Sequence, residues 1–271
     1  MTKPKAHTPL TSARPGGRSS LRDPKLFDPI RALTKLAVGE QVRLSPAMCT
    51  ALLAREINVS EAFTLVDAQG VFFRASLKTM TELGGDAVVY EQMSGSTESK
   101  ARITLVCAVL GRQRMITVVQ KATELGCVRI TPVLSEHSVK PTDLEREKPW
   151  AWHGQALKGA RQCRRASVPV VDQVQPLEKL LLSDIWTKAQ ARFVLDDREG
   201  VAAYTFERST DESARDYVLA VGPEGGWSDR EREGLLAANA VPLALGIRVL
   251  RAETAVFAGL SVLQHRLGDL R

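Results

Sequence analysis

Three glycines lie within the segment Gly222-Pro223-Glu224-Gly225-Gly226, which directly follows the apolar run YVLAV. Because glycine has no Cβ, such a segment can turn sharply and let a ligand approach the backbone closely. An ordinary turn between a strand and a helix would explain the same glycines. The segment matches neither GxxxxGK[ST] nor GxGxxG, which disfavours a phosphate-binding loop and an ordinary dinucleotide-binding fold.

A second segment, LGIRVLRAETA at residues 245–255, places one glycine, two arginines, a glutamate and a threonine between an apolar run and an apolar helix. Glu253 suits the positive end of a helix dipole, and Thr254 is a candidate helix cap. A loop that is fixed by a salt bridge between an arginine and Glu253 is the alternative to a ligand site.

From residue 103 onward, apolar runs of strand length alternate with helical patterns, as in ITLVCAVL, VRITPVL, FVLD, YVLAVG and PLALG. This alternation predicts an α/β fold with a mostly parallel sheet covered by helices. Residues 145–165 are predicted to form a long helix, and Ser228 with Glu231 a capping box. Ligands bind at the carboxyl ends of the strands in such sheets, and both segments are predicted to follow such strand ends.

Residues 31–100 contain the short strand-like runs QVRL, AFTLVD, VFFRASL and DAVVYEQ, with a helical pattern only near 46–56. They predict a small β-barrel-like domain, and the polar stretch SGSTESK marks a boundary before a second domain at 101–271. Residues 1–30 are rich in Pro, Gly, Ser and basic side chains, which predicts a disordered basic arm. This arm is interpreted either as an RNA-contacting tail or as a solvated extension.

The chain carries a net charge of +6 and has a pI of about 9.3. This surplus favours a polyanionic partner, because Lys and Arg that neutralise phosphates release counterions. No apolar run reaches the roughly 18 residues of a membrane span, and the first residues lack the apolar stretch of a secretory signal. The cysteine content instead favours reduced cysteines in a cytoplasmic protein.

The four cysteines form no CxxC pair and have no neighbouring histidine cluster, so neither a zinc site nor a disulfide framework is predicted. Cys107 and Cys127 lie in apolar segments and are predicted to be core residues. His137, His153 and His265 are isolated in the sequence, which favours a structural or exposed position over a catalytic one.

Taken together, the two glycine-containing segments resemble the bacterial family of 16S ribosomal RNA uracil-N3 methyltransferases, within the SPOUT superfamily. That family shows a GPEGG-S/T turn followed by LG-x-R-[IV]-LR-x-ET-A. KATELG at residues 121–126 matches its helix end, residues 132–139 follow its P-L-x-SERSV pattern, and Gln162, Arg165 and Pro169 follow its EQ-x-x-R…P segment. The resemblance is strong over residues 105–265 and weak over residues 31–100.

The resemblance implies a trefoil-knotted methyltransferase domain that binds S-adenosylmethionine in the knot, forms a homodimer and needs no metal. It also implies a PUA-like β-barrel at residues 31–100 that helps to bind RNA. The implied reaction methylates N3 of a uridine in 16S ribosomal RNA of the small ribosomal subunit and releases S-adenosylhomocysteine. Cofactor contacts are implied for Val221, Gly222, Glu224, Gly225, Leu245, Gly246, Ile247, Leu250, Thr254 and Ala255.

Uracil N3 carries a proton at neutral pH and must lose it before or during methyl transfer. Arg251 is the first candidate to stabilise the resulting negative charge, and Arg248 is the second. Glu253 is a candidate either to orient Arg251 or to accept the proton. Contacts to RNA are predicted for Arg31 and Arg55. Contacts to RNA phosphate are also predicted for a basic cluster whose alternative is a solvated helix face: Arg161, Arg164, Arg165, Lys140 and Lys158.

The chain also departs from the family pattern. His137 stands where the pattern has Arg, Arg161 where it has an acidic residue, and CTALLAREINVS replaces the barrel's HH-x-x-x-VLR-x-x-x-G segment. Two alternatives therefore stay open: a methyltransferase of the same class with a different RNA site, and a non-catalytic ribosome- or RNA-binding protein that retains the knot. The intact LRAET segment argues against the second.

Overall fold

The computed structural model describes residues 23–196 and 214–271, which divide into two compact units. The first unit consists of the described residues up to Thr97 together with Arg164–Ser167, and the second of Glu98–Cys163 and Val168–Arg271. Most of the predicted basic arm, residues 1–22, lies outside the described residues. Of the rest, Pro24–Phe27 form a 3-10 helix whose Phe27 is buried, so the prediction of disorder is wrong there.

The first unit is built on a five-stranded sheet and one helix. Its strands are β1 (Ile30–Arg31), β2 (Gln41–Leu44), β3 (Ala62–Val66), β4 (Phe72–Thr81) and β5 (Gly84–Gln92), and its helix is α1 (Pro46–Ala54). The sheet runs in the order β1-β3-β4-β5-β2, with β1 parallel to β3 and the other neighbours antiparallel. Alternating strand residues and α1 bury a common apolar core, which includes Leu44, Leu52, Leu65, Phe73 and Leu77.

The second unit alternates strands with helices, as the sequence predicts. Its elements are β6 (Ala101–Ala108), α2 (Arg112–Glu124), β7 (Arg129–Leu134), α3 (Trp152–Gln162), β8 (Val170–Val171), β9 (Gln175–Pro176), α4 (Leu177–Leu181), α5 (Asp184–Thr187), β10 (Ala191–Leu195), β11 (Arg215–Val221), α6 (Asp229–Ala237), β12 (Val241–Leu243) and α7 (Ala252–Leu267). The sheet order is β12-β10-β11-β6-β7-β8, with β9 beside β7, and every pairing is parallel. The predicted α/β fold with a parallel sheet is therefore confirmed.

Helices cover both faces of this sheet. On one face, Gly259 of α7 lets the helix approach Leu195 and Leu219, since an added Cβ would lie 3.1 Å from each side chain. On the other face, strand residues such as Val194 and Val218 pack with side chains of α4, α5 and α6. Parallel strands buried on both faces need the near-continuous apolar runs from which they were predicted.

The predicted helix over residues 145–165 is broken. Pro141–Glu147 and Pro149–Ala151 are 3-10 helices, Lys148 between them has a φ of 51°, and the α-helix begins only at Trp152. Pro149 has no N–H to donate and disfavours the α conformation at the residue before it. The proline therefore separates the two helical stretches.

Two further sequence predictions can be compared with the structure. Cys107 and Cys127 are buried, as predicted, and Cys49 is buried as well. None of the described helices combines the length and the apolar character needed to cross a membrane.

Candidate functional site

A cleft lies at the carboxyl ends of β12, β10 and β11, which are neighbours in the sheet. Leu195 and Asp196 line it after β10, residues 221–227 after β11, and residues 243, 245, 246 and 248–250 after β12. Arg232 of α6 and Ala252 and Ala255 of α7 complete the lining among the described residues. The two segments singled out in the sequence thus face the same space.

The segment after β11 is a tight turn. The N–H of Gly226 donates to the carbonyl of Pro223 over 2.9 Å, and Gly226 has a φ of 70°, a conformation that L side chains rarely adopt. An added Cβ on Gly222 would lie 3.3 Å from the indole ring of Trp227 and 3.3 Å from its backbone nitrogen. Gly226 is therefore needed for its backbone conformation, and Gly222 for a close approach.

The turn leads into α6 through the capping box that the sequence predicts. The N–H of Glu231 donates to Ser228 Oγ over 3.3 Å, and the N–H of Ser228 donates to Glu231 Oε2 over 3.0 Å. This reciprocal pair fixes where the helix begins and hence where the turn ends.

Eight of the ten predicted cofactor residues line the cleft: Val221, Gly222, Glu224, Gly225, Leu245, Gly246, Leu250 and Ala255. The other two, Ile247 and Thr254, are not among its lining residues. The side chain of Ile247 is 99% exposed, and Thr254 is exposed and makes no capping hydrogen bond to α7. The prediction of Thr254 as a helix cap is wrong, since the N-cap residue of α7 is Arg251.

The three predicted catalytic residues occupy different positions around the start of α7. Arg248 lines the cleft, whereas Arg251 is exposed between the lining residues Leu250 and Ala252. Glu253 lies in the first turn of α7, where the helix dipole favours a negative charge. Its Oε2 atom is buried and has no hydrogen-bond partner among the described residues, so this oxygen retains its capacity to accept a proton or a hydrogen bond.

Two ion pairs at the cleft were not found by sequence reasoning. Arg232 Nε donates to Asp196 Oδ2 over 2.6 Å, and both residues line the cleft, with the Asp196 side chain only 6% exposed. Arg114, in the first turn of α2, forms an ion pair with Glu224. Asp196 directly follows a buried strand, which is the one local signal that could have identified it.

The loop after β7 contacts the turn after β11 from the side. His137 Nδ1 lies 3.1 Å from the carbonyl oxygen of Gly225 and 3.2 Å from that of Gly226. The N–H of Glu136 donates to Glu231 Oε1 over 2.8 Å. His137 is exposed, in agreement with the prediction for isolated histidines. Its ring nitrogen nevertheless lies within hydrogen-bond distance of two backbone carbonyls of the turn.

Trp227 presents a buried polar atom at the cleft. Its side chain is 8% exposed, it lines the cleft, and its indole Nε1 is buried without a hydrogen-bond partner among the described residues. A buried indole N–H ordinarily has an acceptor. The Trp227 indole is an exception to this rule among the described residues.

The predicted RNA contacts include two arginines that are buried. Arg55 is 6% exposed, and its guanidinium donates to the backbone carbonyls of Leu26, Asp28 and Ala166. Arg165 is 7% exposed and donates to Ser167 Oγ over 3.1 Å. Phosphate contact by these two is not supported, because both side chains are buried.

The other predicted RNA-contacting residues are accessible to different degrees. Arg31 is exposed on β1 of the first unit, and Arg164 is exposed and ion-paired with Glu91. In the second unit, Lys140 and Lys158 are exposed and Arg161 is half-buried. The described residues contain no group of three or more His, Cys, Asp or Glu side chains arranged to hold a metal ion.

Comparison with known proteins gives concordant results. A family model described as an RNA methyltransferase domain matches residues 97–264. A ribosomal RNA small subunit methyltransferase E from Aquifex aeolicus is 31% identical over 212 residues, which cover 78% of this chain and 88% of that protein.

Two solved structures are similar over almost the whole chain. One is a ribosomal RNA small subunit methyltransferase E from Neisseria gonorrhoeae bound to S-adenosyl methionine, with a TM-score of 0.63, 26% identity and coverage of 90% of this chain and 100% of that one. The other is a methyltransferase from Legionella pneumophila in complex with the cofactor SAM, with a TM-score of 0.60, 29% identity and coverage of 89% and 98%.

Proposed function

Because the chain belongs to the ribosomal RNA small subunit methyltransferase E family of RNA methyltransferases, we propose that it methylates N3 of a uridine in 16S ribosomal RNA of the small ribosomal subunit. S-adenosylmethionine is the methyl donor and S-adenosylhomocysteine the product. The observation that carries the proposal is the single cleft onto which both family segments converge. A cleft at the carboxyl ends of adjacent parallel strands is where an α/β fold binds its ligand.

The cleft fits this cofactor in its chemistry. S-adenosylmethionine carries apolar, hydrogen-bonding and charged parts, and the lining combines apolar side chains, the backbone of four glycines and the Asp196–Arg232 pair. The Trp227 side chain adds apolar surface to the lining. The proposed cofactor contacts are the eight predicted residues that line the cleft, while Ile247 and Thr254 are proposed only as neighbours of the bound molecule.

The cofactor supplies an electrophilic methyl group on a sulfonium, and this chain's residues orient it and manage the charge of the base. Methyl transfer forms the N3–CH₃ bond, breaks the bond between sulfur and methyl, and requires that N3 give up its proton. We assign proton acceptance to Glu253, because its buried Oε2 has no other partner among the described residues.

Arg251 and Arg248 are the proposed cations that stabilise the negative charge on the uracil ring. Arg251 is exposed next to the cleft and two residues before Glu253, so an RNA base can reach the Arg251 side chain from solvent. Arg248 lines the cleft itself and is the second candidate.

We predict that Arg251→Ala lowers kcat while leaving cofactor affinity within about twofold, because the Arg251 side chain does not line the cleft. Removing one group that stabilises transition-state charge costs roughly 10²–10³ in rate. Single-turnover methylation and calorimetric titration with S-adenosylmethionine measure the two quantities separately. Full turnover in a variant with normal cofactor binding would contradict the assignment.

The proposed function is tested by methyl transfer from labelled S-adenosylmethionine to small ribosomal subunits that lack the modification, followed by mapping of the labelled base. Label on N3 of one uridine in 16S RNA is the expected result. Label on another base or RNA would support the same enzyme class with a different site. RNA binding without any methyl transfer would overturn the enzymatic proposal in favour of a non-catalytic binding protein.

Further aspects of the proposal rest on the family resemblance. We propose that the second unit is trefoil-knotted, that the first unit is a PUA-like RNA-binding barrel spanning about residues 31–100, and that the enzyme is a cytoplasmic homodimer needing no metal. The five-stranded, largely antiparallel sheet with its own core supports the barrel proposal. Arg31, Arg161, Arg164, Lys140 and Lys158 remain the proposed phosphate contacts.

A further inference from the structure

The ring of His137 contacts the cofactor cleft from outside its lining. Its Nδ1 atom lies 3.1 Å and 3.2 Å from the carbonyl oxygens of Gly225 and Gly226, respectively. Both partners are acceptors, so Nδ1 must carry the hydrogen in this arrangement. In a neutral ring, Nε2 is then the unprotonated nitrogen.

This contact fixes the orientation of a peptide in the cleft wall. The peptide that joins Gly225 to Gly226 is planar, so its C=O and N–H point in opposite directions. The C=O meets His137 Nδ1, and the N–H donates to the Pro223 carbonyl over 2.9 Å. Glycine flanks this peptide on both sides and would otherwise leave it unusually free to rotate.

Gly225 is also required for the approach of His137. An added Cβ at Gly225 would lie 2.9 Å from His137 Cβ and 3.3 Å from Nδ1, closer than side chains pack. Unlike Gly226, Gly225 does not have a positive φ. Close contact with His137 therefore accounts for glycine at this position.

The loop that carries His137 is itself anchored on both sides. Ser138 Oγ accepts from the N–H of Ser135 over 2.9 Å and donates to the Ser135 carbonyl over 2.8 Å. The N–H of Glu136 donates to Glu231, whose other oxygen caps α6. The His137 loop is thus anchored both within itself and to the start of α6.

We propose that His137 is a positioning residue that holds the turn at residues 223–226 in the conformation that binds the cofactor. This proposal rests on the proposed function of the cleft and adds a residue that does not line it. The family pattern has Arg at this position, so the contact is a property of this chain's own sequence. His137 does not line the cleft and so does not touch the reacting groups. We therefore expect a substitution of His137 to change cofactor affinity and not the rate of methyl transfer.

The test compares His137→Ala with two amide variants. Asn places an N–H near the position of Nδ1, whereas Gln places one near the position of Nε2. For His137→Ala we expect the calorimetric Kd for S-adenosylmethionine to rise about five- to tenfold, the loss expected for one or two hydrogen bonds. His137→Asn should stay within about twofold of the unaltered chain, and His137→Gln should resemble the alanine variant.

Two further readouts separate positioning from a general loss of folding. At saturating cofactor, kcat of His137→Ala should match that of the unaltered chain while KM for the cofactor rises. The ¹⁵N shifts of the His137 ring should report a protonated Nδ1 in the neutral form. Thermal melting of each variant identifies any change that reflects unfolding.

The outcomes are distinguishable from those of the proposed function. An unchanged Kd in His137→Ala, or rescue by Gln but not by Asn, would overturn the positioning role while leaving the methyltransferase proposal intact. Failure of the unaltered chain to bind S-adenosylmethionine would overturn both.

Discussion

At the residue scale, the cleft contains positions where only glycine fits, because a Cβ atom would displace a neighbouring residue. Gly222 lies against the indole of Trp227, and Gly225 lies against His137. The two contacts hold the turn from opposite ends. The glycines are therefore explained by packing against neighbouring side chains as well as by ligand approach.

Gly222→Val is predicted to reduce affinity for S-adenosylmethionine at least tenfold, equivalent to about 1.4 kcal/mol. The reason is that a Cβ at this position would lie 3.3 Å from Trp227, so the added branches force the turn or the indole to move. Calorimetric titration measures the effect. Gly154→Ala is the matched control, since its Cβ would enter open space on α3 and should leave affinity unchanged.

The cysteines give a second prediction at this scale. Burial raises the pKa of the Cys107 thiol to about 12, so the reactive thiolate is essentially absent at neutral pH. Cys49 and Cys127 are also buried, while Cys163 is partly accessible. A thiol reagent at pH 7.5 should label the folded chain at Cys163 first and label Cys107 only after denaturation, as read by peptide mass spectrometry. Rapid labelling of Cys107 in the folded chain would contradict the described core.

Some residues of the cleft could be identified from the sequence, and others could not. The glycines and arginines at 222–226 and 245–251 form continuous segments, so their types and spacing are visible in the chain. Asp196 and Arg232 lie 36 residues apart, and His137 and Gly225 lie 88 apart. Such pairs depend on which loops meet in space, which no local pattern encodes. Arg55 was misassigned for the same reason, since its carbonyl partners are distant in sequence.

At the element scale, a buried side chain of α7 makes hydrogen bonds at the end of the second unit that is opposite the cleft. Gln264 is fully buried, its Nε2 donates to the Leu125 carbonyl over 3.0 Å, and its Oε1 accepts from Ser99 Oγ over 2.7 Å. Gly126 and Gly268 leave the room it needs, because an added Cβ on either would clash with it. The last helix is thereby connected to the end of α2 and the start of β6.

Gln264→Leu is predicted to lower the free energy of unfolding by about 2 kcal/mol, because it removes the hydrogen bonds to the part-buried Leu125 carbonyl and to the buried Ser99 hydroxyl. Chemical denaturation monitored by circular dichroism measures the change. His265→Ala is the control on the same helix, since His265 is exposed and should contribute within about 0.5 kcal/mol. Equal stability of the two variants would show that the Gln264 contacts are dispensable.

The elements themselves were largely predictable where the apolar pattern was long. Apolar runs predicted five strands, namely β6, β7, β10, β11 and β12. The capping box of Ser228 and Glu231 predicted the start of α6. The prediction failed over residues 145–165, where helical composition concealed the effect of Pro149. The order of the strands in the sheet could not be predicted from the sequence either. β10 lies between β12 and β11, and this order is set by contacts between residues that are distant in the chain.

At the scale of the whole molecule, the net charge of +6 is compatible with binding to a polyanion but does not identify the binding surface. Of the predicted cationic cluster, Arg164 and Arg165 are grouped with the first unit, while Lys140 and Lys158 belong to the second. Burial removes Arg165 from this cluster, and Arg164 is ion-paired with Glu91. The exposed residues Lys140 and Lys158 of the second unit are therefore the first candidates to test for phosphate contact.

Replacing Lys140 and Lys158 by Glu is predicted to weaken binding to small-subunit RNA and to reduce the salt dependence of the binding constant. Each phosphate contact removed lowers the slope of log K against log salt by about 0.7–0.9, since fewer counterions are released. Fluorescence anisotropy across a salt series gives this slope. Lys188→Glu is the control, because Lys188 is also exposed but pairs with Asp184 on α5. An unchanged slope in the double variant, or an equal loss in the control, would show that total charge rather than this surface governs RNA binding.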